Sequence, residues 1–172
     1  MSPTILAVSL FFHIIATVVW IGGLILTVLL VWPEVTRALQ ENAALYSVLT
    51  RLRRRFTVYS NLALAVLIAT GMFQMAADEN YDGILQFDNV WSRVLLVKHI
   101  VIVLMVACGL VLQLFISPAL ERTTLRAERG KTDPAALEGE WSGLRRREAL
   151  LTWLNAGMGV VVIALSVYAS VL

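Results

Sequence analysis

The sequence predicts an all-α integral membrane protein: a single four-helix bundle over residues 1–172 with both termini outside the cytoplasm (N-out, C-out). Three observations carry this. Hydrophobic residues make up 59% of the chain against 15% charged, with a mean hydropathy of +0.78, more apolar material than a soluble domain of 172 residues buries. That material lies in four segments, 4–32, 56–77, 94–116 and 149–172. Each holds about 20 residues or more, enough to cross ~30 Å of hydrocarbon as a helix. Finally, twelve of the fourteen Lys and Arg residues fall in 33–55 and 118–147, whereas the middle loop carries Asp78, Glu79, Asp82 and Asp88. By the positive-inside rule the two basic loops face the cytoplasm, as expected for a bacterial-type inner membrane.

The first segment has no basic leading region and no small-residue cleavage site, so it reads as a helix rather than a removable signal. Pro33 and Pro118 fall where the first and third helices reach the cytoplasm, consistent with stops or bends. Residues 34–52, with Leu39, Leu45, Leu49 and Leu52, suggest a short amphipathic helix on the cytoplasmic surface. Arg51, Arg53, Arg54 and Arg55 close the first loop, just before the second helix. The third loop carries Gly130, Asp133–Pro134, Gly139 and Gly143, and reads as broken. Trp32, Trp91 and Trp153 fall near interfaces, where indole is enriched, whereas Trp20 lies inside the first helix. Arg clusters beside membrane helices read as topology and headgroup contacts, not as a nucleic-acid surface. Cys108 has no partner for an internal disulfide.

The only two histidines, His13 and His99, lie in the first and third apolar segments. Ionisable residues in such segments point to function. Both helices run from outside to inside, and the two depths differ by only ~6 Å at 1.5 Å per residue. Facing imidazoles at one depth suit a six-coordinate b-type haem in the outer half of the bilayer. Ala16, Thr17, Trp20, Gly23, Leu24 and Thr27 follow His13 at helical steps, and the small ones leave room for a flat cofactor or for plain helix packing. Arg93 and Lys98 would neutralise haem propionates or snorkel to headgroups. No C-x-x-C-H occurs, which excludes covalent haem attachment.

This set implies electron transfer, with a membrane quinol and other redox subunits as partners, and bis-histidine ligation leaves no open iron position. A second set uses the same region: Met72 and Met75, with His13 and His99, offer thioether and imidazole donors for Cu(I). Methionines also fill cores. Ser60, Asn61, Gln74, Gln113, Asn155, Ser166 and Tyr168 read mostly as interhelical hydrogen-bonding groups.

The segments FFHIIATVVWIGGL, RRRFTVYSNLALAVLIATG, WSRVLLVKHIVIV and LRRREALLTWLNAGMGVVVIAL, in this order, resemble the copper-resistance-protein-D (CopD-like) membrane domain. They are also similar to its relative, the HemJ-type protoporphyrinogen oxidase. The first resemblance implies copper passage across the inner membrane. The second implies haem in the bundle and oxidation of protoporphyrinogen IX, with His13 and Lys98 matching the functional histidine and lysine. His99 directly after the lysine departs from the oxidase pattern. A homo-oligomer fits either family reading.

Overall fold

The computed structural model describes residues 2–31, 33–34, 45–79, 81, 83, 89–128 and 134–172. Four long helices account for nearly all of them, with no strand among the described residues. Helix α1 spans Pro3–Val31 and α2 spans Leu45–Ala77. Helix α3 runs over 90–128 and α4 over Pro134–Ala169. Each contains a stretch long and apolar enough to cross a membrane, so the chain is a multi-pass membrane protein. Their surfaces agree: Phe11, Phe12, Val18, Leu62, Val103, Phe115 and Val160 are exposed large apolar residues, as a lipid-facing surface requires.

The helices outrun the apolar segments. Helix α2 begins eleven residues before Phe56, and its first turns take in 45–52 of the expected surface helix. The rest of that helix, 35–44, lies outside the described residues, as do Trp32, Asp82, Asp88, Gly130 and Asp133. Helix α3 starts at Val90 because Asn89 caps it: Asn89 Oδ1 accepts from the Ser92 backbone N–H at 2.7 Å. At its other end α3 does not stop at Pro118. A π-helical turn, Leu112–Ile116, precedes the proline, and Ser117–Glu128 continues as α-helix. Proline lacks a donor and its ring collides with the carbonyl four residues back, and a wider turn just before it relieves both. Helix α4 begins at Pro134, a residue suited to the first helical turn, and runs unbroken through Gly139 and Gly143. The third loop is therefore largely helical rather than broken. Each glycine costs about 1 kcal/mol against alanine, too little to interrupt a helix supported by packing.

Threonine hydroxyls follow one rule throughout: Thr17, Thr27, Thr70, Thr124 and Thr152 each donate to the carbonyl four residues earlier, at 2.6–2.9 Å. In hydrocarbon this satisfies a donor without water.

The chain forms two compact units. One is Met1–Leu96 with Leu165–Leu172, the other Val97–Ala164, so the boundary passes through α3 and α4. In the first unit α1 and α2 run antiparallel: Ser9 meets Gln74, His13 meets Thr70, and Gly23 faces Phe56. The pair comes close at Gly23, where an added Cβ would lie 2.6 Å from Phe56 Cε2. Ala16, Ile21, Val28 and Ala63 are buried there, as are Trp91 and Leu95 at the start of α3. In the second unit Thr123 and Arg126 of α3 meet Glu140 of α4 in a helical hairpin, and the buried residues include Met105, Ile116, Leu120, Leu137 and Val162. At 36 residues α4 is about 54 Å long, well beyond the ~30 Å span, so its N-terminal part extends past the hydrocarbon.

Candidate functional site

Steps of four and three residues place Ser9, His13 and Ala16 on one face of α1, and past the π-helical turn Val18–Gly22 the helix meets α2 again at Gly23. On α2 the contacting residues are Thr70, Gly71, Gln74 and Phe56. His13 is half-buried. Its Nδ1 lies 2.8 Å from Thr70 Oγ1, and the Thr70 hydroxyl donates to the Val66 carbonyl at 2.6 Å. The next residue, Gly71, opens α2 toward the ring: a Cβ there would stand 3.4 Å from His13 Cε1 and 3.9 Å from Nδ1. One turn along, the Gln74 amide donates to Ser9 Oγ at 3.4 Å. Four polar side chains from two helices thus meet inside membrane-spanning segments. All are electrically neutral or, for imidazole, neutral in its metal-binding form.

The remaining candidates are placed as follows. Trp20 is half-buried within the π-helical turn Val18–Gly22 of α1. Met75 is half-buried and stands one turn from Gly71 on α2, whereas Met72 is 60% exposed. Arg93 is exposed at the start of α3 and belongs to the first unit. Lys98 is half-buried and His99 exposed, and both belong to the second. The half-buried Cys108 lies in that unit too. No group of three or more His, Cys, Asp or Glu residues gathers as a metal site among the described residues. A soft ion held by thioether and imidazole needs no such group, because Cu(I) is selected by sulfur donors rather than carboxylates.

Sequence reasoning missed Thr70 and Gly71. Neither stands out along α2, because their meeting with His13 depends on the register between the two helices. Gln74 does make the interhelical bond expected of it. Asn155 differs, since its buried Oδ1 has no hydrogen-bond partner among the described residues.

The second unit holds a different set of polar groups. Glu148, 5% exposed, pairs with Arg145 at 3.9 Å, and the Arg145 guanidinium lies 4.8 Å from the centre of the Trp141 ring. Thr123, 2% exposed, shares its hydroxyl proton between Ala119 O at 3.0 Å and Glu140 Oε1 at 3.2 Å. These groups are charged or bonded to charges: the Trp141–Arg145–Glu148 set lies along α4, and Thr123 to Glu140 links α3 to α4.

No curated protein and no solved structure matches the chain. Residues 50–171 match the family model of copper resistance protein D. That match takes in nearly all of α2 and the whole of α3 and α4, and it leaves α1 with His13 outside. Covering well over half of the sequence, it makes the chain a member of the CopD (copper resistance protein D) family.

Proposed function

We propose that the protein handles Cu(I) within the membrane, as a transported ion rather than a resident cofactor, and that His13 is one of its ligands. The observation behind this reading is the half-buried imidazole of His13 beside Thr70 and Gly71, in a chain whose remaining helices match the CopD family. A membrane site for a monovalent cation is best built from neutral donors, since each carboxylate carried into hydrocarbon adds a large desolvation cost. Imidazole and thioether are such donors, and both accept Cu(I). Met75, on the Gly71 side of α2, is the sulfur donor we assign; His99 offers a further imidazole in the other unit.

The arginines at the start of α2 and along the α3–α4 hairpin support cytoplasmic placement of those ends, hence N-out, C-out insertion in an inner membrane. On that topology His13 stands in the outer half of the bilayer and receives copper arriving from outside.

The test is binding and colour in one preparation. Protein purified in detergent should be free of haem absorption and should hold Cu(I) against a competing chelator. His13→Ala should weaken that binding by about a hundredfold, roughly 2.7 kcal/mol. A low-spin haem spectrum lost in both His13→Ala and His99→Ala would replace copper with the bis-histidine electron-transfer reading. Haem that survives His99→Ala but not His13→Ala, with turnover of a porphyrinogen that fails in Lys98→Ala, would favour the oxidase.

A further inference from the structure

We propose that Thr70 is a positioning residue: it holds His13 as the Nδ1–H tautomer and thereby makes Nε2 the nitrogen that meets a metal ion. The tautomer follows from geometry alone, whereas its use in coordination rests on the copper reading above.

A carbonyl oxygen carries no proton, so the 2.6 Å contact between Thr70 Oγ1 and Val66 O is made by the Thr70 hydroxyl hydrogen. Threonine has only one such hydrogen. Toward His13 Nδ1, 2.8 Å away, Thr70 therefore presents a lone pair, and Nδ1 supplies the hydrogen. The opposite tautomer would set two lone pairs against each other in a low-dielectric setting, where such a mismatch is felt strongly. A neutral imidazole has one N–H, so with Nδ1 protonated the lone pair is on Nε2. Metal-binding histidines are commonly fixed in this way, by a hydrogen bond from the ring nitrogen that does not coordinate.

The experiment is nitrogen NMR on metal-free protein labelled with 15N at histidine, with His13 assigned by the loss of its signals in His13→Ala. Wild type and Thr70→Ser should both show a protonated Nδ1 and an unprotonated Nε2 at His13. Thr70→Val, similar in shape but without the hydroxyl, should shift population toward the Nε2–H form, and Cu(I) affinity should fall about tenfold, with Thr70→Ser restoring it. Helix content by circular dichroism checks that the valine variant is folded. An Nε2–H tautomer in wild type, or the same tautomer populations in Thr70→Val, overturns the proposal. If the predicted tautomers appear but wild type binds no Cu(I), the role of Thr70 stands and the copper reading falls.

Discussion

In the unit formed by Met1–Leu96 and Leu165–Leu172, two contacts between α1 and α2 join neutral side chains: imidazole to hydroxyl at His13–Thr70, amide to hydroxyl at Gln74–Ser9. In the unit Val97–Ala164 charged groups take part: Arg126 of α3 pairs with Glu140 of α4, and Arg145 pairs with Glu148 one turn along α4. The neutral bonds lie where apolar sequence surrounds them on both sides. The ion pairs lie where α3 and α4 have outrun the hydrocarbon. Desolvation explains the division. A hydroxyl or amide without water costs a few kcal/mol and one hydrogen bond offsets most of it, whereas an ion needs a partner and still loses.

This contrast is open to attack from both sides. Glu148→Ala should have the largest effect on stability. It leaves the 14%-exposed Arg145 side chain without its carboxylate and should lower unfolding free energy by about 3 kcal/mol, the low end for a broken buried pair, because Arg145 can reach toward headgroups. Denaturation in mixed detergent micelles would measure it, and a loss below about 1 kcal/mol would remove the energetic distinction between the units. Gly23→Ala tests the neutral unit through packing. Its new methyl meets the Phe56 ring at 2.6 Å, so about 1–2 kcal/mol should be lost, and Phe56→Leu in the same chain should recover most of it. Failure of that rescue would mean the α1–α2 approach is limited elsewhere. The smallest change is expected at the exposed end of the hairpin. Arg126 and Glu140 side chains are 59% and 48% exposed, and Arg126→Ala should shift stability by less than about 0.5 kcal/mol.

Hydropathy made the four helices legible but not their lengths, because apolar runs mark the hydrocarbon and not the helix. The α3–α4 extension carries Glu121, Arg122, Arg126, Glu140 and Arg145–Arg147, residues that form helices readily yet vanish from any hydropathy profile. His13 was legible because an ionisable ring among apolar residues stands out. Thr70 was not, since a threonine in a helix usually spends its hydroxyl on the preceding turn. Thr70 does so as well, and its second role depends on which residue of α1 arrives at its level. That is a matter of register between helices, which spacing within one helix does not encode. Glu148 was likewise unremarkable in an Arg-rich stretch until the hairpin buried it.

The π-helical turns have a consequence for how chains of this kind are compared residue by residue. Val18–Gly22 and Thr27–Val31 in α1 and Leu112–Ile116 in α3 each wind one residue more than an α-helical turn of the same height. A relative with one residue fewer at such a place would keep both flanking faces in phase with a plain α-helix. A single-residue gap placed anywhere else would rotate everything beyond it by about 100°. In an alignment, then, gaps inside α1 and α3 belong at these three turns, and ligand positions on either side should be matched separately.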